Sequence, residues 1–301
     1  MVSRRRALLL LKPEAHSEYP NLPSALKRLE EHGIDCTELD SEDFHDLPAA
    51  IARHTDADML IVGAGDGTLN TAAQALRDSD LELGILPLGT ANDLARTLCI
   101  PPDLTAAADV IGKGRTVPVD LGLANDHAFF NVAHIGLAAE VPRFTRGFEK
   151  RVLGPLGYLV AVFRALRRFR AFHAKVCIDG QQHRFKCDQI SVGNGRNYGG
   201  GMVIDHQARI DDATLDLLIW RRRSWLRMLA LGLAMRQGWQ RYYSNVLAVS
   251  AQQIEVETSR KLRLAADGEE IGHTPAAFRV LSAKLQVHVG PEYKEPSADA
   301  D

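Results

Sequence analysis

Over the first 120 residues, apolar positions alternate between short unbroken runs and helical spacing. Residues 7–11 form an unbroken run, which predicts a strand buried on both faces. Leu22, Ala25, Leu26 and Leu29 recur at helical spacing over residues 22–32, and Gly33 fits the C-terminal cap. A strand near residues 34–39 and a helix near 46–54 follow. Residues 59–62 (Met-Leu-Ile-Val) then lead into Gly63-Ala64-Gly65-Asp66-Gly67-Thr68 and a helix-like stretch at 69–76. The unit repeats. Residues 83–86 are strand-like, and Pro87-Leu88-Gly89-Thr90-Ala91-Asn92-Asp93 opens into Leu94-Ala95-Arg96. A short helix at 105–112 and a strand from 116 complete a βαβα order, which implies a parallel sheet covered on both faces.

The pattern changes after residue 120. Short apolar runs occur at 128–133, 174–178, 189–192, 215–220, 245–249, 253–258, 261–265, 278–281 and 285–289. Asp179-Gly180 lies between two such stretches as a hairpin turn signal. Many short strands predict an antiparallel sandwich. Helix-like insertions at 156–168 and 224–237, the second with Ser224 as N-cap, interrupt it. The expected division is an α/β nucleotide-binding domain at residues 1–124, a β-sandwich domain at 125–290 and a polar tail at 291–301. A cleft between such domains is the usual place for a ligand.

Composition narrows the classes. A chain of 301 residues, 46% hydrophobic and 25% charged, is long enough for two soluble domains. A net charge of −2 supplies no field for nucleic acid. Cys36, Cys99, Cys177 and Cys187 show no CxxC spacing, so buried free thiols and a reducing cytoplasm are expected. The apolar run 7–11 is shorter than the roughly 7–15 residues of a signal core. No run reaches the ~18–20 apolar residues of a membrane span. The histidines show no metal spacing, and there is no G-x-S-x-G elbow and no P-loop signature.

The chemistry that remains is phosphate binding. Glycine permits φ > 0 and lets a phosphate approach the backbone, and N–H groups at a helix start face an anion. Two strand–turn–helix units about 25 residues apart therefore suggest a nucleotide phosphate held between adjacent loops. The alternative for residues 63–68 is a tight strand–helix turn with no ligand. The hydroxyls of Thr68 and Thr90 can donate to phosphate. Asp66 tolerates a phosphate only with a cation between them, which makes a Mg²⁺ role natural. A second candidate metal set is Asp212 with the carbonyls of Arg209 and Thr214, since hard cations take such oxygens; the alternative is an ordinary acidic turn.

These residues resemble the diacylglycerol-kinase-like lipid kinases, and most of all their bacterial YegS-like branch. Ala64-Gly65-Asp66-Gly67-Thr68 is similar to the family's GGDGT loop, and residues 86–95 to its second loop. Gly193-Asn194-Gly195 with the glycines up to Gly201, and Asp267-Gly268-Glu269, follow in the family's order and spacing. The chain departs from the pattern at Lys12, where asparagine precedes Pro13 in the family. It departs also at Ala64 for glycine, Thr71 for glutamate and Ala213 for glycine.

The resemblance implies an α/β nucleotide domain, then a β-sandwich, with the active site in the cleft between them, and phosphoryl transfer from ATP with Mg²⁺ to a lipid hydroxyl. Glu269 is the implied base, with Asp267 and Asp66 as the other catalytic carboxylates. The implied nucleotide contacts are Ala64, Gly65, Asp66, Gly67, Thr68, Leu69 and Asn70, with Gly89, Thr90, Asn92 and Asp93. Spacing alone leaves residues 267–269 as a charged hairpin tip. The expected partner is a lipid at a membrane surface, such as diacylglycerol, phosphatidylglycerol or a sphingoid base. Arginine-rich stretches at 163–173 and 220–239 offer peripheral contact on the cytoplasmic face, or are the solvated rim of packed helices. Two other readings stay open: an NAD-kinase-like enzyme with a soluble substrate, and a catalytically idle nucleotide-binding regulator.

Overall fold

The computed structural model describes residues 4–144, 170–195, 197–199, 202–203, 209–221 and 246–294. The chain forms two compact units. The first is Met1–Leu121 with Ile210–Ala213 and Leu281–Asp301, and the second is Gly122–Arg209 with Thr214–Val280.

The first unit contains β1 (Arg5–Leu11), α1 (Ala15–Glu18), α2 (Leu22–Glu31), β2 (Ile34–Glu38), α3 (Ser41–His45), α4 (Leu47–Arg53), β3 (Met59–Ala64), α5 (Asp66–Leu76), β4 (Glu82–Pro87), α6 (Asp93–Thr97), α7 (Leu104–Gly112) and the start of β5 (Thr116–Ala124). Strands pair in parallel in the order β2-β1-β3-β4, and Val287 extends the sheet beside Leu83 of β4. The unbroken apolar runs are buried on both faces, with Met59, Leu60, Ile61 and Val62 all 0% exposed. Gly33, at φ +76, ends α2 as its spacing predicts. Asp46 and Asp103 cap α4 and α7, accepting from Ala49 N and Ala106 N.

The strand order has a consequence for ligands. The chain moves outward from β1 to β2, then crosses back to place β3 on β1's other side. The topological switch point therefore lies between the C-terminal ends of β1 and β3, where open α/β sheets bind ligands.

The second unit continues with β6 (His127–Phe129), β7 (Val132–Gly136), α8 (Leu137–Phe144), β8 (Phe172–Ile178), β9 (Gln181–Gly193), β10 (Asn197–Gly199), β11 (Met202–Val203), β12 (Leu215–Arg221), β13 (Val246–Ala251), β14 (Gln253–Thr258), β15 (Arg263–Ala266), β16 (Glu269–His273) and β17 (Ala276–His288). Its strands pair antiparallel, in the order β16-β15-β7-β9-β8-β14-β17, with β12 on β9 and β13 on β12. Alternation sorts the faces. In β8, Phe172, Ala174 and Val176 enter the core while His173 and Lys175 are exposed. The result is the expected parallel α/β unit joined to a β-sandwich-like one.

Both Asp-Gly turns have positive φ at each residue, 44° and 85° at Asp179-Gly180 and 44° and 89° at Asp267-Gly268. These are the primed turns that match strand twist in two-residue hairpins. Two details differ from the sequence reading. The run 128–133 is two strands, broken at Phe130-Asn131. The runs 278–281 and 285–289 belong to a single strand, β17, in which Ala283 adopts φ 51°. The insertions at 156–168 and 224–237, and most of the arginine-rich stretches, lie outside the described residues. Among the described residues, no helix is long and apolar enough to cross a membrane.

Candidate active site

The first glycine loop is shorter than its spacing suggests. β3 ends at Ala64, Gly65 is the N-cap, and α5 begins at Asp66, three residues before the apolar period starts. Leu69 N already donates to Gly65 O at 3.2 Å. The N–H groups open to an anion are thus those of Gly67 and Thr68, since the Asp66 N–H already faces its own carboxylate. Leu69 and Asn70 do not offer theirs: both lie inside the helix, 2% and 1% exposed. The Asn70 side chain is a different matter, because both amide atoms are buried without a protein partner. Gly67 borders open space, with nothing within 4 Å of where a Cβ would stand.

The second loop does not repeat this arrangement. Asp66 Oδ1 accepts from Asp93 N at 2.9 Å and Leu94 N at 3.4 Å, so the first N–H groups of α6 are already bonded. The start of α6 thus differs from that of α5, because its first two N–H groups are taken up by Asp66. Asn92, at φ 49°, accepts from Gly89 N at 2.8 Å and donates to Gly89 O at 2.9 Å, which consumes the Gly89 donor too. Thr90 is exposed.

The glycines also act differently from the expectation. None of Gly63, Gly65, Gly67 and Gly89 has positive φ. Gly65 and Gly89 instead bring the two loops together. A Cβ on Gly89 would lie 2.6 Å from Gly65 Cα, and one on Gly65 would lie 3.2 Å from Gly89 Cα.

Two carboxylates meet here. Asp93 is 2% exposed, and the Asp66 carboxyl is pushed above its ordinary pKa by burial first and by the charge of Asp93 second. Such a pair favours a cation. Among the described residues no group of three or more His, Cys, Asp or Glu could hold a metal. Mg²⁺ is commonly held by one or two carboxylates plus substrate phosphates, so Asp66 and Asp93 fit that ion only with a nucleotide present.

In the second unit the Asp267-Gly268-Glu269 hairpin is fastened at its tip. The Asp267 carboxylate accepts from Phe130 N at 2.8 Å, Asn131 N at 3.1 Å and Val132 N at 2.8 Å, and Asp267 N donates to Val132 O at 2.9 Å. Asn194 joins the same segment, donating from its backbone N to Asn131 O and from Nδ2 to Phe130 O. Asp267 is thus a clamp between the hairpin and the β6–β7 break. Glu269, two residues on, stands exposed at the start of β16. The sequence reading missed Asn131; the Phe130-Asn131 break inside an apolar run was its signal.

The turn with Arg209, Asp212 and Thr214 is held by a residue the sequence reading also missed. Asp120 is 2% exposed and accepts from Ala213 N at 2.7 Å and Ala283 N at 2.6 Å. Burial first, with the Asp212 charge a lesser cause, pushes its carboxyl above the ordinary range. Tyr293 Oη donates to Asp211. A lone aspartate within the apolar strand Val119-Asp120-Leu121 was the available signal.

Known proteins carry the same two parts. Residues 6–124 match the diacylglycerol kinase catalytic domain, and residues 131–289 match the YegS C-terminal NAD kinase beta sandwich-like domain. A Staphylococcus aureus protein named diacylglycerol kinase is 29% identical over 290 residues, covering 94% of this chain and 92% of its own. A crystal structure titled as a diacylglycerol kinase from Bacillus anthracis superposes with a TM-score of 0.76 at 26% identity, over 97% of this chain and 99% of that one. A second, provisionally titled diacylglycerol kinase from the same organism gives 0.81 at 27% identity, over 95% and 96%. The chain belongs to the YegS-like family of diacylglycerol-kinase-like proteins, with a kinase catalytic domain followed by a β-sandwich-like domain.

Proposed function

We propose that the protein transfers the γ-phosphoryl group of ATP to a lipid hydroxyl. The observation that carries this reading is the open N-terminus of α5. Two open N–H groups there, of Gly67 and Thr68, sit beside two carboxylates, and Gly67 borders space rather than protein. Phosphoryl transfer depends mainly on positioning and charge stabilisation, which is what such a site supplies. Gly67 and Thr68 hold the phosphates through their N–H groups. Asp66 and Asp93 would hold Mg²⁺, which neutralises charge on the phosphate oxygens.

On the acceptor side, Glu269 takes the hydroxyl proton as the oxygen forms its bond to the γ-phosphorus. The bond from that phosphorus to the β–γ bridging oxygen breaks, and ADP leaves. Asp267 keeps Glu269 in place through its backbone clamp. The Arg209, Asp212 and Thr214 set remains a proposal for a second, structural cation near Asp120. Peripheral membrane contact through the arginine-rich stretches is likewise a proposal, checked by salt-dependent pelleting with anionic liposomes.

The deciding experiment is transfer of radiolabel from [γ-³²P]ATP, with Mg²⁺, into a total lipid extract, with the product identified by mass spectrometry. Labelled lipid supports the proposal. Label in NAD instead assigns a soluble acceptor, and ATP binding without transfer assigns an idle regulator. Glu269→Gln should abolish turnover and leave ATP affinity nearly unchanged. An active variant would remove Glu269 from its role.

A further inference from the structure

Lys12 is the first residue after β1, where the family resemblance has asparagine. It therefore stands on one side of the switch point between β1 and β3, with Ala64 and Gly65 on the other. Lys12 N donates to Gly63 O at 3.1 Å, which ties this turn to the first glycine loop. Ala15 N donates to Lys12 O, so the chain turns directly into α1.

The side chain lies against α1 and its C-cap. The ammonium pairs with Glu18 and lies 4.7 Å from the centre of the Tyr19 ring. The Tyr19 hydroxyl donates to Leu88 O at 2.5 Å, and Leu88 N donates to Ala64 O at 3.1 Å. Lys12, Tyr19 and the roots of both glycine loops thus form one connected group. The Glu18 hydrogen bond, its largest influence, raises the pKa of the ammonium, which keeps it charged. The two partners differ in freedom. The Lys12 side chain is 24% exposed and Glu18 52%, so the carboxylate can turn into water while the lysine stays.

We propose that Lys12 is a phosphate-binding cation of the nucleotide site, and that Glu18 is its counter-ion only until the nucleotide arrives. This inference rests on the reading that the first unit binds ATP. The open N–H groups of α5 supply dipoles, and Asp66 and Asp93 supply negative charge. A polyphosphate entering at the switch point meets the residue that follows β1 there, which carries an ammonium. It exchanges a single exposed carboxylate for oxygens that carry more charge. An ordinary surface ion pair would give the same geometry but no link to phosphate number.

The test is titration calorimetry of the full chain with adenosine, AMP, ADP and a non-hydrolysable ATP analogue. Lys12→Met should weaken the ATP analogue about tenfold and ADP less, and leave adenosine unchanged. Lys12→Arg should restore the analogue to within about threefold, because the charge is kept. Glu18→Gln should tighten it, since the competing carboxylate is gone. Melting curves establish that each variant is folded. Wild-type binding with Lys12→Met unchanged, or weakened equally for adenosine and ATP analogue, overturns the role of Lys12 alone. No binding by wild type overturns the donor-site reading and this inference with it.

Discussion

The two glycines at positions 67 and 89 should respond to alanine in opposite ways. At Gly89 the added Cβ would lie 2.5 Å from Asn92 Oδ1 and 2.6 Å from Gly65 Cα. The second neighbour is backbone, which cannot rotate away as a side-chain tip can. A normal carbon–carbon contact needs about 3.5–4.0 Å, so the loops must separate by roughly 1 Å. Overpacking of this kind costs about 1–3 kcal/mol. It also stretches the 2.9 Å bond from Asp93 N to Asp66 Oδ1, so nucleotide binding should weaken as well. At Gly67 nothing lies within 4 Å, and the residue is in the first turn of α5. Alanine there should gain up to about 0.5–1 kcal/mol of helix stability. Its methyl would fill the space in front of the free N–H groups, so ATP affinity should fall while the protein becomes more stable. The assays are thermal melting and calorimetric titration with ATP. For a chain of this size 1 kcal/mol corresponds to roughly 2–4 °C. If Gly89→Ala melts like the wild type, the loops are not packed against each other. If Gly67→Ala binds ATP as well as wild type, the phosphates do not use the start of α5.

Two further outcomes are expected. Asp267→Ala removes the acceptor of three backbone N–H groups, and should cost about 2–4 kcal/mol and lower turnover while ATP affinity holds. Unchanged melting and turnover would show that the clamp does not position Glu269. His134, beside Ser191 Oγ at 3.1 Å, has its pKa pushed down by burial from 6.5 to about 4. The unfolded imidazole takes up a proton near 6.5 and the folded one only near 4. Stability is therefore full above pH 6.5 and falls as pH drops between these values, by at most about 3 kcal/mol. Urea unfolding at pH 7 and pH 5 measures this, and an unchanged pH dependence in His134→Asn would assign the slope to other groups.

Periodicity reached the elements whose environment is uniform. The buried run 59–62, the spacing of α2 and the Asp-Gly turns each declare a local rule, and the structure follows it. It did not reach features set by a partner distant in sequence. α5 starts at Asp66 rather than Leu69 because the first turn of a helix leaving the C-terminal end of a strand need not be apolar. The closeness of Gly65 and Gly89 depends on two loops being adjacent, which no window of either loop contains. Ala283 looked like a gap between two strands because its φ of 51° is stabilised from outside, by Asp120 accepting its N–H.

The aspartates explain why a shared sequence signature and a chemical role are different things in this chain. Asp66 bonds the first N–H groups of α6, Asp120 bonds Ala213 and Ala283, Asp179 bonds Gln252 and Gln253, and Asp267 bonds residues 130–132. Each closes a backbone gap that strand pairing or helix bonding leaves open, and an unpaired buried N–H is costly. A carboxylate used in this way has fewer lone pairs to offer a substrate. Asp66 takes both α6 N–H groups on one oxygen, Oδ1, so a clamp and a cation ligand are compatible there. Asp267 accepts three backbone N–H groups through both oxygens. Glu269 lies on the same hairpin, exposed and one methylene longer, with reach beyond the backbone it is attached to. The division of labour follows from side-chain length. The short acid fixes the turn, and the longer one stands exposed beside it.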